Sequence, residues 1–326
     1  MPWEDPSGER LALISLSIPL HSPGHALRPT AIALGSFDGL HRGHRRVIEA
    51  ITPALDGAVP SVVSFWPHPR EVLHGDTRLR LDLPEEKLDL LAPLGIRQLV
   101  LVPFTLALAA LTPEAFVDRV LAGQLQARRV AVGENFRFGA GRCGSAADLE
   151  RIGAGCGMEV SVLPMLWDGP ERVSSSRIRR ALAAGDLAEA GRLLERPYRF
   201  SGWVVAGRGL GRGLGWPTAN LQVDGRKFLP GEGVYAVWVW RGGDPAAPMA
   251  GVMNLGPQPT VDPLAPSAVE VHLLDRDLEL VGATLTVEPV RFLRGQQRCS
   301  GLDELSARIA ADAAAAAVIL AAAPQP

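Results

Sequence analysis

Lysine is almost absent from this chain. Of 33 basic residues among 326, only Lys87 and Lys227 are lysines, so a phosphate-binding loop of the GxxxxGK[ST] kind cannot be present. Any bound nucleotide must be held by other groups. Cysteine is scarce as well. Cys143, Cys156 and Cys299 form neither a CxxC pair nor an even set, which favours reduced thiols and a cytoplasmic protein over a disulfide scaffold. No run reaches the ~18 apolar residues of a membrane span, and the short Ala-rich stretch around Ala310 to Ala323, interrupted by Asp312, reads as a terminal helix. Met1-Pro-Trp-Glu-Asp-Pro carries acid where a signal peptide needs positive charge, and Leu11 to Leu20 reads as a strand or an N-terminal arm. The formal net charge of -2 and pI near 6.4 give no bulk attraction to nucleic acid or to an anionic membrane. The expected partners are therefore small molecules, with self-association left open.

What is present points to about two domains, with 47% hydrophobic residues to build their cores. From Thr30 to Leu166 short apolar runs (Ala31 to Leu34, Val62 to Trp66, Gln98 to Val102, Arg129 to Val132, Glu159 to Met165) alternate with helical patterns (His44 to Ile51, Glu85 to Leu91, Pro113 to Leu121). That alternation predicts an α/β N-terminal domain, Rossmann-like with a parallel sheet. Three runs end in polar, glycine-marked segments: Gly35 to His44, Pro67 to Glu71 and Gly133 to Gly139. Ligands of open parallel sheets bind beyond the carboxyl ends of the strands, so these segments are expected to share a pocket. A helical stretch, Ser175 to Glu195, ends before Pro197. Beyond it the runs Phe200 to Val205, Val234 to Trp240, Met249 to Leu255, Val269 to Leu274 and Ala283 to Phe292, separated by Gly-marked turns, predict a mainly antiparallel β-barrel C-terminal domain closed by a terminal helix after Ser300. The expected division is an arm or first strand over 1–29, one domain over 30–196 and another over 197–326, abutting without a linker.

Two segments carry chemistry. In Gly35-Ser-Phe-Asp-Gly-Leu-His-Arg-Gly-His44, His41 and His44 stand at i and i+3 where strand gives way to helix, so both imidazoles can face an anion at the helix start. Gly43 leaves room for a phosphate. Asp38 can bind a ribose or cap the helix. In Gly207-Arg-Gly-Leu-Gly-Arg-Gly-Leu-Gly215, Gly207, Gly211 and Gly215 can present backbone N–H groups to phosphates. The spacing is not GxGxxG and no helix is signalled after it, which disfavours a dinucleotide-binding Rossmann turn. A merely flexible loop would leave Pro217-Thr-Ala-Asn220 unexplained.

The first segment resembles the HxGH signature of nucleotidylyltransferases, and its GxFDGxH version is similar to the FMN adenylyltransferase domain of bacterial bifunctional riboflavin kinase/FAD synthetases. Pro67-His-Pro, Gly133-Glu-Asn-Phe-Arg-Phe-Gly139 and Val173-Ser-Ser-Ser-Arg-Ile-Arg179 agree, the last with Ser176 where the family has Thr. Pro217-Thr-Ala-Asn220, Arg226-Lys-Phe-Leu-Pro230, Gly251-Val-Met-Asn-Leu-Gly256 and Glu270-Val-His-Leu-Leu-Asp275 follow in the order of the family's riboflavin kinase half. The resemblance implies phosphorylation of riboflavin to FMN, then adenylylation of FMN to FAD, with ATP and Mg²⁺ in both steps. It implies that His41 and His44 contact ATP phosphates and that Arg179 clamps the triphosphate, with Gly35, Phe37, Asp38, Gly43, Ser174 and Ser175 around the nucleotide. His68, Asn135 and Phe136 are expected at the flavin, although Asn135 also suits a turn. For Arg177, Arg179 and Arg180 the alternative is a solvated helix face; function is preferred for Arg179 and the solvated face for Arg180.

In the rear half the resemblance puts Thr218 and Asn220 beside Mg²⁺ and makes Glu270 the base. His272, on the same strand face, orients Glu270 or packs. Arg276 and Val281 stand where the family has Phe and Tyr, Cys299 where an aromatic is common, and Thr105 where it has Asp. None is a phosphate or metal group; they bear on the grip on the isoalloxazine ring. The rivals are a monofunctional adenylyltransferase with an inactive barrel, a non-catalytic flavin or nucleotide sensor, and a flavin-using oxidoreductase. Intact Thr218, Asn220 and Glu270 speak against the first, and retention of a base against the second. Nothing resembles a site for a redox substrate, which speaks against the third.

Overall fold

The computed structural model describes residues 18–52, 57–75, 79–207, 210–242, 248–256, 269–276, 278–297 and 299–323. The chain forms two compact units. One comprises residues 1–36, 47–66 and 84–163, the other 37–46, 67–83 and 164–326.

The first unit holds a six-stranded parallel sheet in the order Leu20–His21, Gln98–Pro103, Val59–Trp66, Thr30–Leu34, Ala127–Gly133, Glu159–Leu163. Every residue of the central strand Thr30–Leu34 is buried, as a strand covered on both faces requires, which is why its sequence is a continuous apolar run. Gly35 and Gly133 lie at the carboxyl ends of adjacent strands, so the segments they open leave from one edge of the sheet. The strand Leu20–His21 captures the end of the Leu11 to Leu20 run; the remainder lies outside the described residues.

The second unit contains a closed barrel in the order Phe200–Val205, Ala219–Gln222, Val269–Leu273, Met249–Leu255, Gly233–Arg241, Thr284–Arg294, antiparallel throughout. Alternate residues point inward, so Leu221, Tyr235, Val237, Met253, Val271 and Leu285 fill the interior. Ala219–Gln222 was not anticipated, since only four residues pair and the turn chemistry before it dominates the sequence.

The single helix expected over Ser175 to Glu195 is two, Ser175–Ala183 and Leu187–Leu194. Gly185 at φ 72° breaks the first, and Asp186 caps the second by accepting from the Glu189 N–H at 3.0 Å. The terminal helix expected after Ser300 runs over Leu302–Ala322 and takes in the Ala-rich stretch. By length and composition it could cross a membrane. It lays Ala316 and Leu320 against Val234, Ala236, Trp238 and Trp240 of the barrel, and its buried Asp312 forms a two-pronged ion pair with Arg294 at 2.7 and 2.9 Å.

Candidate active sites

The histidine site lies in the second unit. His41 precedes the helix Arg42–Glu49, and its ring stacks on that of His44 with centroids 3.6 Å apart and planes 15° apart. Phe37 meets His44 edge-on at 5.3 Å. His41 is only 6% exposed, and burial pushes its imidazole down to about 4. Its Nδ1 accepts from the His44 backbone N–H at 3.3 Å, so the proton of the neutral ring sits on Nε2. The space at Gly43 is used by that ring: a Cβ there would lie 3.2 Å from its edge.

Asp38 does not cap the helix. Its Oδ1 accepts from the N–H groups of Leu81 (2.8 Å) and Asp82 (3.4 Å), its Oδ2 pairs with Arg179, and its carbonyl accepts from Ser175 Oγ at 2.7 Å. Ser174 caps the helix Ser175–Ala183, which carries Arg179. Arg179 also donates to the Leu79 carbonyl at 3.0 Å, while its buried Nε has no partner among the described residues. Arg196 donates to the Gly39 carbonyl (3.0 Å) and to Asp82 (2.9 Å). Arg177 is not on a solvated face; it sits among Asp168 (2.8 Å) and Glu189 (2.6 Å), whereas exposed Arg180 pairs with Glu171. His68 caps the helix Pro69–His74 by accepting from the Arg70 N–H at 3.2 Å.

Gly35, Asn135 and Phe136 belong to the first unit. Gly35 N–H donates to the Val63 carbonyl at 3.1 Å. Exposed Asn135 sits in a turn closed by Phe136 N–H to Gly133 O at 2.9 Å, and Phe136 stacks on Phe138 at 5.7 Å.

The barrel carries a second constellation. Glu270 lies directly opposite Asn220 on one neighbouring strand and Asn254 on the other, so the three side chains share the outer face, opposite the buried alternate residues. Asn254 accepts from Gln296 Nε2 at 2.8 Å. Asn254 falls within Gly251-Val-Met-Asn-Leu-Gly256, and only the register puts it beside Glu270. A Cβ on Gly207 would fall 2.0 Å from Asn220 Nδ2, and one on Gly211 would fall 2.3 Å from the Trp216 carbonyl and 3.1 Å from Thr218 Oγ1. Gly207 and Gly211 are thus fitted closely against Asn220 and Thr218, and one helical turn, Leu210–Gly213, contains Gly211, which the sequence did not signal. Gly215 adopts φ +83°.

His272 does not orient Glu270 through Nδ1, which donates to the Pro217 carbonyl at 2.8 Å, and its ring meets Trp216 edge-on at 5.2 Å. Trp216 Nε1 in turn donates to Ser306 of the terminal helix at 3.1 Å. A cavity of about 260 Å³ opens beside this group, lined by Gly207, Thr218, Asn220 and several apolar side chains; Arg276 and Val281, two departures from the family pattern, also line it.

A six-stranded parallel sheet and a closed antiparallel barrel in one chain, with an HxGH segment in the barrel's unit and a Thr and Asn beside a carboxylate on the barrel, are features of a nucleotide-dependent transferase. The FAD synthetase family model matches residues 24–177 and the riboflavin kinase model residues 194–320. The bifunctional riboflavin kinase/FMN adenylyltransferase of Escherichia coli (strain K12) is 39% identical over 86% of this chain and 90% of its own length. Its namesake in Bacillus subtilis is 33% identical over 92% and 95%. A crystal structure named as a macrolide-efflux protein from Streptococcus pneumoniae superposes with a TM-score of 0.79 at 28% identity, over 93% of this chain and 99% of that one. The efflux in that name is said of the pneumococcal protein. The chain belongs to the bifunctional riboflavin kinase/FMN adenylyltransferase family. It is an enzyme whose substrates are riboflavin, FMN and ATP, with FMN as intermediate and FAD as product. Neither an inactive barrel nor a non-catalytic sensor is favoured.

Proposed function

We propose that the two reactions run on separate residue sets, FMN adenylylation over 30–196 and riboflavin phosphorylation over 197–326. The observation that carries this reading is the Asn220–Glu270–Asn254 row beside the glycine cradle, on elements that share no residue with the His41–His44 stack.

In adenylylation, an FMN phosphate oxygen attacks the α-phosphorus of ATP and pyrophosphate departs. That oxygen is already ionised at neutral pH, so no base is required; the site must align the groups and offset charge. Neutral His41 donates through Nε2–H, His44 stacks beside it, and Arg179 adds positive charge from the place Asp38 gives it. The Arg179 Nε, which has no partner among the described residues, supports an anionic ligand there. Gly35, Phe37, Asp38, Gly43, Ser174 and Ser175 shape the nucleotide site, and His68, Asn135 and Phe136 serve the flavin.

In the kinase step the nucleophile is the neutral riboflavin 5′-hydroxyl. Glu270 takes its proton as the oxygen bonds to the γ-phosphorus and ADP leaves. The hydroxyl of Thr218 and the amide oxygen of Asn220 are hard donors in a space that a single added Cβ would fill, which suits Mg²⁺. When bound, Mg²⁺ neutralises phosphate charge. The exposed free thiols Cys143 and Cys156 support a cytoplasmic setting.

The test is chromatographic separation of flavins from purified enzyme supplied with riboflavin and Mg-ATP. Glu270→Gln is expected to lose FMN formation by about a hundredfold or more while converting added FMN to FAD; His41→Ala with His44→Ala is expected to do the reverse. Equal loss of both steps in both variants would defeat the reading.

A further inference from the structure

Arg226-Lys-Phe-Leu-Pro230 lies within the kinase sequence, yet neither reaction as proposed uses it. In the second unit it is fastened to the backbone segment 79–82. Arg80 N–H donates to the Arg226 carbonyl and Phe228 N–H to the Arg80 carbonyl, both at 2.7 Å. Lys227, 1% exposed, donates its ammonium to the Leu81 carbonyl at 2.7 Å, 4.8 Å above the Tyr198 ring. The same segment meets the histidine site from its other edge, through Leu81 N–H to Asp38 and the Leu79 carbonyl to Arg179. Asp38 holds Arg179, whose guanidinium carbon is 5.9 Å from the Phe228 ring centroid.

Asp38 and Arg179 therefore take their places from a strap with one edge pinned by Lys227 and Phe228. A buried ammonium–carbonyl bond is charge-assisted and costly to break, and without it the Leu81 carbonyl is left with the longer contact from the Tyr198 hydroxyl at 3.3 Å. We propose that Lys227 and Phe228, although they belong to the kinase sequence, are positioning residues for FMN adenylylation, acting through segment 79–82 and the Asp38 carboxylate on Arg179. This rests on the assignment of Arg179 to the adenylylation site.

Full-length Lys227→Met and Phe228→Leu are assayed for each step separately. The expected result is a KM for Mg-ATP in FMN-to-FAD conversion raised about tenfold, with riboflavin-to-FMN kcat/KM within about twofold of the parent. A residue that only supports the fold lowers both steps together. In an Arg179→Ala background, Lys227→Met is expected to add no further loss, because it acts through that arginine. Equal losses in the two steps, an unchanged adenylylation KM in both variants, or additivity with Arg179→Ala would overturn the proposal. Should Lys227→Met fail to fold, Phe228→Leu, which keeps the buried ammonium, decides alone. If Arg179→Ala left adenylylation intact, the assignment of Arg179 would fall, a result distinct from loss of the positioning effect.

Discussion

His41 shows how one side chain is set by its surroundings. Burial holds its folded pKa near 4, against 6.5 for the free ring. Above pH 6.5 neither the folded nor the unfolded state protonates it, so its contribution to stability is fully present there. As pH falls from 6.5 towards 4 the unfolded chain takes up a proton that the native site refuses, and stability declines, by on the order of 3 kcal/mol at pH 4. Denaturant titrations between pH 7 and 4 should show the parent losing on the order of 3 kcal/mol relative to His41→Gln, since Gln carries no such linkage. Adenylylation should show no inflection from His41 near pH 6.5. The motif alone suggested phosphate contact; it could not give the tautomer, because that depends on the bond from the His44 backbone.

At the level of elements, the glycine segment and the strand after it act as one piece. Gly211→Ala puts a Cβ 2.3 Å from the Trp216 carbonyl, a backbone atom that cannot yield alone, and 3.1 Å from Thr218 Oγ1. The substitution should raise the kinase KM for Mg-ATP about tenfold or more and leave FMN adenylylation unchanged, as steady-state assays of the two steps would report. Much at this scale was legible in the sequence. The apolar runs became strands, and Glu270 and Asn220 were marked by short motifs. What escaped was set by distant partners. Asn254 joins Glu270 only through register, and the anchoring of Pro217 by His272, and of Trp216 by Ser306, spans residues 55 and 90 positions apart. Local patterns carry no trace of such pairings. The break at Gly185 was readable from its glycine followed by Asp186, but helical periodicity on both sides concealed it.

For the molecule as a whole, the division into units does not follow the order of the motifs. Phe37 to Arg46 and Pro67 to Leu83, read from sequence as parts of the front domain, cluster with the barrel. The reason lies in backbone bonds between segments about 146 residues apart, of which Arg80 with Arg226 and Phe228 are examples. Composition could not reveal them.

Both lysines are buried, Lys227 under Leu81 and Lys87 against the Ser36 carbonyl at 3.1 Å. Arginine carries the remaining basic charge, and its guanidinium does not react with acylating agents at neutral pH. The folded enzyme is therefore nearly inert to succinimidyl esters. Intact-mass and peptide analysis of briefly labelled native protein should find neither Lys87 nor Lys227 modified, and both modified after denaturation. The appearance of the Lys227 adduct would time the opening of the segment that this side chain pins.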